Sequence, residues 1–299
     1  MRIPVRSFLF VPGDSEKKLG KARESAADAL VLDLEDSVAA GRKPEARRMV
    51  AEYLRSGAVR PGLELWVRIN PLRGDHVLED LSAIVGARPS GLLLPKAEGP
   101  QDIRILSHYL DVLEVREGPT DARTEIIAVA TETAASTFAL GEYRNAGLER
   151  LYGMTWGAED LSADIGASSN KDADGRLSLT YRMARSNMLL GAKAAGVHAL
   201  ETAYPDFRDL EALSSTLTGA RREGFSGGFA IHPAQVAPLN EAFSPSAEDI
   251  AMAEKVVAAF ASAPDVGTIG IDGRMFDRPH LTQAEKVLAI RDAFADRGN

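Results

Sequence analysis

The sequence predicts an α/β fold: a (β/α)8 TIM barrel over residues 1–242, followed by a C-terminal helical arm or lid over 243–299. Three observations predict it. Eight short apolar, β-branched runs alternate with segments of helical periodicity. The runs are continuous rather than alternating, as in strands covered on both faces. Polar residues collect where the runs stop, as at the catalytic end of a parallel barrel. An open doubly wound sheet is the other solution to the same alternation, but eight near-equal units ending by about residue 242 favour closure.

The strands, in order, are SFLFVP from Ser7, ALVLDL from Ala29, LELWVRIN from Leu63, GLLLPK from Gly91, EIIAVAT from Glu125, RLYGMTWG from Arg150, VHALETAY from Val197 and GGFAIHP from Gly227. Helical patterns fall between them at roughly 15–27, 43–56, 75–86, 100–115, 133–146, 177–195, 206–223 and 234–242. Pro44, Pro205 and Pro233 sit near helix starts, where a missing N–H costs little. Past Phe243 the chain does not form a ninth unit. SPSAEDIAMAEKVVAAFASA reads as a helix, TIGIDGRMFDRP as a turn-bearing extended segment, and HLTQAEKVLAIRDAF as a final amphipathic helix.

At 299 residues, 45% hydrophobic and 26% charged, the chain has the composition of an ordinary globular protein with a substantial core. A net charge of −8 argues against nucleic acid as a partner, because phosphate neutralisation needs a basic face. The absence of cysteine removes disulfides, thiolate metal sites and a cysteine nucleophile. The apolar run Ser7 to Pro12 is too short for a signal peptide, and no stretch approaches the ~20 apolar residues of a membrane span, so a soluble cytoplasmic protein without a membrane partner is expected.

The chemistry gathers at the strand ends. Glu132 ends the fifth strand and Asp160 follows the sixth, so in a barrel they come from adjacent strands and can converge. Two carboxylates with open positions suit Mg²⁺, which keeps waters and accepts substrate oxygens; helix capping is the alternative use of both residues. Arg68 lies within an apolar strand and needs an anion, either Asp33 or Glu35 beside it or a substrate carboxylate. Asp33, Glu35 and Asp36 crowd three carboxylates into four residues, Asp33 and Glu35 sharing one strand face and Asp36 reading as a turn residue. Lys96 closes the fourth strand, where an ion pair is the expected fate and a Schiff base the other. After strand one, Lys17, Lys18 and Lys21 present either a phosphate-binding cluster or a solvated helix face. No Walker A loop, strand-linked G-x-G-x-x-G, nucleophile elbow or histidine ligand spacing occurs.

RSFLFVPGDSEKKL, LVLDLEDSVA, VRIN, LLLPK, ETA, GAEDLSADIGASS, YPDFRDLE, AIHPAQV and MFDRPHLTQAE together resemble, in order and over nearly the whole chain, the HpcH/HpaI aldolase and citrate lyase superfamily. VPGDSEKK and GAEDLSADIGASSNK are most similar to stand-alone members of its citrate lyase β-subunit-like branch, citramalyl-CoA and malyl-CoA lyases among them. The resemblance implies a Mg²⁺-dependent enzyme that makes or breaks a carbon–carbon bond between a CoA thioester and a 2-oxo acid. It further implies Glu132 and Asp160 as metal ligands, Arg68 at the oxo acid, and Asp277 reaching the site of a neighbouring subunit in a homotrimer or dimer of trimers. Asp33 and Glu35 are expected to be catalytic together with Arg68 and Asp277, and Lys17 and Lys18 to bind the CoA. Thr131, where family members often have an apolar residue, is a departure that leaves the ligand in place. Asp277 has a second use as a helix cap, although a Thr282/Glu285 capping box would let that helix start later and free it. A malyl-CoA-type thioesterase and a citrate lyase β subunit acting with an acyl-carrier protein are the alternative activities.

Overall fold

The computed structural model describes residues 4–57, 60–118 and 123–297. Its strands are β1 (Ser7–Pro12), β2 (Ala29–Asp33), β3 (Glu64–Arg68), β4 (Gly91–Leu94), β5 (Glu125–Val129), β6 (Leu151–Thr155), β7 (His198–Glu201) and β8 (Gly227–Ala230). All pair in parallel with their sequence neighbours, and β1 pairs with β8, so the sheet is closed. Closure disposes of the open-sheet alternative.

Helices α1 (Glu16–Ala22), α2 (Lys43–Arg55), α3 (Val77–Ile84), α4 (Pro100–Arg116), α5 (Ala134–Ala139), α6 (Ala158–Asp164), α7 (Leu179–Ala194), α8 (Leu210–Glu223) and α9 (Val236–Ala242) fill the connections. Helix α6 is additional to the eight expected. Three expected boundaries were too generous: α1 stops at Ala22, α5 gives way after Ala139 to a 3-10 turn ending at Tyr143, and α8 begins only at Leu210, where the Asp209 side chain accepts the Ala212 N–H. Pro205 therefore lies in a loop and not at a helix start. Pro44 does occupy the first turn of α2.

Side chains of a strand alternate between faces, and in a barrel one set points inward. The inward set includes Phe8, Ala29, Val31, Trp66, Leu93, Ile127, Val129, Tyr152, Leu200 and Phe229, packed as one apolar cluster. Trp66 lies across Gly91, where an added Cβ would come within 2.2 Å of the ring. The same period of two carries Asp33 inward after Val31 and Arg68 inward after Trp66, and the two residues are register partners on β2 and β3. The top layer of a hydrophobic barrel thus becomes ionic at the carboxyl ends of its strands.

The chain divides into two compact units, one spanning Val5–Ala242 and the other built from Phe243 onward. In the second, α10 (Ala247–Ser262) opens with a capping box of Ser246 and Asp249. An antiparallel hairpin of β9 (Thr268–Ile271) and β10 (Arg274–Asp277) follows, then α11 (Arg278–Arg297). The hairpin loop is Asp272-Gly273, with φ of 49° and 76°, the sign that a type I′ turn demands at both positions. Ala253, Val256, Phe260 and Ala284 form this unit's own core. Helix α11 starts at Arg278, one turn before the proposed Thr282 box, and the Thr282 hydroxyl donates to the Arg278 carbonyl at 3.3 Å. The later start expected for this helix is therefore corrected. Among the described residues no helix is long and apolar enough to cross a membrane.

Candidate active site

A cavity of about 1030 Å³ opens at the carboxyl ends of the barrel strands. Arg68, Asp33, Glu132 and Asp160 line it, with Trp156, Phe10, Phe229 and Ile231 among its apolar walls.

Arg68 is held as a fork: Nε and Nη2 donate to Oδ1 and Oδ2 of Asp33, each at 2.7 Å. The guanidinium also lies 4.9 Å from the Phe10 ring centroid. Its remaining nitrogen, Nη1, stands 3.1 Å from Glu35 Oε2 and 3.8 Å from Asp36, which is exposed in a turn. The Glu35 contact is an ion pair without hydrogen-bond geometry. Burial resists ionisation of Asp33, but Arg68 and the N–H groups of Ser37 and Glu35 hold its carboxyl below the usual range. For Glu35 burial wins, and its carboxyl is raised.

Lys96 ties this group to the next. Its ammonium lies 2.8 Å from Glu35 Oε1 and 3.1 Å from Asp160 Oδ1, while its own backbone N–H donates to Glu132 Oε2 at 2.5 Å. The ion pair expected of Lys96 is present, and it is made with two carboxylates from different strands.

Glu132 is 6% exposed. Its pKa is pushed up to about 8, first by burial and then by the Asp160 charge, against the pull of the Lys96 N–H. The capping alternative fails for it: Thr133 caps α5, in a reciprocal box with Ser136. Asp160 sits in the first turn of α6, whose N-cap is Gly157 without a side-chain bond. Gly157 is required there, because a Cβ would stand 2.8 Å from Glu132 Cγ. Thr131 has a use in this chain: its hydroxyl oxygen accepts the Gly157 N–H at 3.1 Å, joining the segments that lead to Glu132 and Asp160.

These groups fit a divalent cation. Asp33, Glu35, Glu132 and Asp160 set four carboxylates against the two cations Arg68 and Lys96, a formal excess of two negative charges in one contact network. A buried excess of that size calls for protons or for a metal. Among the described residues no group of three or more acidic, histidine or cysteine side chains is placed to enclose an ion. Glu132 and Asp160 would leave coordination positions to water and substrate oxygens, the manner of Mg²⁺.

The other expected residues are spread more widely. Lys18 and Lys21 line the cavity, whereas Lys17 is exposed outside its lining. Asp277 belongs to the C-terminal unit, where Oδ1 lies 2.5 Å from His280 Nδ1 and accepts the His280 N–H at 3.4 Å. The side-chain hydrogen bond with the His280 ring, above all, holds the Asp277 carboxyl below its usual value.

Sequence reasoning missed the support of the Trp156 wall. The Trp156 indole N–H donates to Glu201 Oε1 at 2.6 Å, and Glu201 Oε2 receives Arg185 Nε and Nη2 at 2.9 and 2.7 Å. The available signal was Glu201 itself, an acidic residue ending an apolar strand like the others. At the rim, Phe207 and His232 stack with centroids 4.6 Å apart.

A parallel barrel with a carboxylate-rich, arginine-bearing mouth defines a class of enzymes that handle anionic substrates with a divalent metal. Residues 6–233 match the HpcH/HpaI aldolase/citrate lyase family, and the chain belongs to it. It is 33% identical over 312 residues to the mitochondrial citramalyl-CoA lyase of Rattus norvegicus, covering 99% of this chain and 88% of that protein. It is 32% identical over 294 residues to a (3S)-malyl-CoA thioesterase of Cereibacter sphaeroides, covering 98% and 96%. Among solved structures, the CitE protein of Mycobacterium tuberculosis in complex with magnesium, acetoacetate and coenzyme A superposes with a TM-score of 0.75 at 35% identity, covering 97% of this chain and 99% of that one.

Proposed function

We propose that this enzyme is a Mg²⁺-dependent carbon–carbon lyase. Its substrate is a 3-hydroxy-3-carboxyacyl-CoA thioester such as citramalyl-, malyl- or citryl-CoA, which it cleaves to acetyl-CoA and a 2-oxo acid or forms by the reverse Claisen-type condensation. The observation that carries the reading is Glu132 and Asp160 beside Arg68 in one cavity, in a contact network with a formal excess of two carboxylates over cations. The ligands named for the CitE structure, magnesium, acetoacetate and coenzyme A, support it.

Glu132 and Asp160 would hold the metal, which when bound supplies Lewis-acid stabilisation of the alkoxide and of the oxo-acid carbonyl. Arg68, braced on Asp33 through Nε and Nη2, would turn Nη1 from Glu35, 3.1 Å away, to the substrate carboxylate. Bracing matters because an unanchored guanidinium would have to be ordered during the reaction. Once a general base has taken the 3-hydroxyl proton, the oxygen's electron pair forms the carbonyl of the 2-oxo acid, the C2–C3 bond breaks, and its electron pair passes into the thioester enolate. Asp277 of a neighbouring subunit in a homotrimer returns a proton to C2, or removes it from acetyl-CoA in condensation. An exposed aspartate is a weak base, so its closure over the cavity must desolvate it. Lys18, with Lys17 and Lys21 on the same helix, would meet the CoA phosphates.

The thioesterase reading rests on the Cereibacter relative and uses the same cavity, with Asp277 activating water. Mass spectrometry of products from citramalyl-, malyl- and citryl-CoA separates the two. Acetyl-CoA with the matching 2-oxo acid is expected; free CoA with the intact hydroxy acid would assign hydrolysis instead.

A further inference from the structure

Lys96 has a conformation that its residue type disfavours. Its φ is +51°, in the left-handed region that penalises a side chain and that glycine enters freely. Strain of this kind persists where surrounding contacts over-determine it, and here the contacts are specific. The turn that follows β4 puts the Lys96 N–H on Glu132 Oε2 and sends the ammonium, two carboxylates away, to Glu35 Oε1 and Asp160 Oδ1. One residue thereby touches both carboxylates assigned to the metal. It uses a neutral backbone donor on one and a full positive charge on the other.

The two contacts have opposite consequences for a divalent cation. The N–H bond orients Glu132 and leaves its second oxygen for a ligand. The ammonium competes: it already neutralises Asp160, and it stands where its charge repels any cation that Asp160 and Glu132 share. We propose that Lys96 is a positioning residue that acts as a tethered cation, holding Asp160 and Glu35 together without metal and keeping the free enzyme's divalent affinity low. The inference rests on the assignment of Glu132 and Asp160 as the metal ligands. Weak binding to free enzyme would favour entry of the metal together with a chelating hydroxy or oxo acid, whose own negative charge offsets the ammonium.

The charge count sets the direction of the effect. Replacing Lys96 with a neutral residue raises the local excess from two negative charges to three, while the backbone donor to Glu132 survives any substitution except proline. Electrostatics therefore outweighs lost orientation, and divalent binding tightens. Removing one unit charge from the immediate surroundings of a divalent ion in a partly solvated site is worth about tenfold in affinity.

The experiment is equilibrium binding of Mn²⁺, followed by its electron paramagnetic resonance signal, to substrate-free wild type, Lys96→Met, Lys96→Arg and Glu132→Gln. Thermal unfolding with and without Mg²⁺ is the second readout. Lys96→Met should bind Mn²⁺ about tenfold more tightly, and Mg²⁺ should raise its unfolding midpoint more than that of wild type. Lys96→Arg, which keeps the charge, should stay within about threefold of wild type. Lys96→Gln is the second neutral variant should methionine not fold there, with the same expectation. Unchanged or weaker Mn²⁺ binding in the neutral variants, with binding lost in Glu132→Gln, overturns the role of Lys96 and leaves the ligands in place. Unchanged binding in Glu132→Gln overturns the ligand assignment itself.

Discussion

Gly157→Ala isolates the position of Glu132 from its chemistry. The Gly157 backbone, φ −131° and ψ 121°, is open to any residue, so alanine meets no conformational objection. What it meets is Glu132: the new methyl would lie 2.8 Å from Cγ and 3.2 Å from Oε1. Carbon atoms rest at about 3.5–4.0 Å, so roughly 1 Å must be recovered. Glu132 cannot simply swing aside, being buried and pinned through Oε2 to the Lys96 N–H. Overpacking costs about 1–3 kcal/mol, and the stiffer unfolded chain of alanine returns about 0.4–1 of it, so stability falls by about 2.6 kcal/mol at most. Activity suffers more, because a misplacement near 1 Å costs on the order of 10²-fold in turnover. The assay is kcat/KM for the CoA ester together with Mn²⁺ affinity and thermal unfolding. Gly41→Ala serves as a silent control, since a methyl there meets nothing within 4 Å. A Gly157→Ala enzyme within twofold of wild type in both activity and metal affinity would refute the claim that the Glu132 position is critical.

Three further outcomes are expected. Arg68→Lys should lower kcat/KM by about 10- to 100-fold, because a point charge cannot both brace on Asp33 and face a carboxylate; Arg68→Ala should in addition destabilise the fold by about 3–5 kcal/mol, leaving Asp33 buried and unpaired. The Glu132 carboxyl is raised from its unfolded value of 4.5 to about 8. The native state therefore binds the extra proton between those limits, and the metal-free enzyme loses stability as pH rises through that window. Mg²⁺ affinity should climb over the same interval and level above pH about 8 as the competing proton leaves, measurable by titration calorimetry in buffers of different ionisation heat. Mixing Asp277→Ala with Arg68→Ala subunits should restore activity that neither has alone; mixtures as inactive as their components would argue against a site shared between subunits.

The barrel was legible because its signal is redundant: eight continuous apolar runs each had to be a strand, and the polar residues after them marked one face. The top-layer pair was legible in part: an arginine in an apolar strand demanded an anion, but only the register of β2 and β3 chooses Asp33 over Glu35 or a substrate carboxylate. Glu132 and Asp160 could be brought to adjacent strands but not chosen between capping and ligation, because that depends on which neighbouring N–H groups they meet. Thr133 removes capping for Glu132, being a better cap one residue later. The grip of Lys96 on residues that follow three other strands was hidden, because it depends on a left-handed backbone that lysine gives no sequence reason to expect. The Trp156–Glu201–Arg185 chain spans β6, β7 and α7, contacts that only the closed barrel creates. At α8 the error was one of local chemistry, Asp209 being a stronger start signal than Pro205.

The central claim is that Glu132 and Asp160 hold the cation on which carbon–carbon cleavage depends. It is tested most directly by acetyl-CoA release from citramalyl-CoA, followed by mass spectrometry over a Mg²⁺ titration of metal-stripped wild type, Glu132→Gln and Asp160→Asn. The account predicts no release in EDTA, saturable recovery of the wild type, and a requirement for at least about tenfold more Mg²⁺ in each variant. Release of acetyl-CoA by the wild type in EDTA, or wild-type Mg²⁺ dependence in both variants, would contradict it.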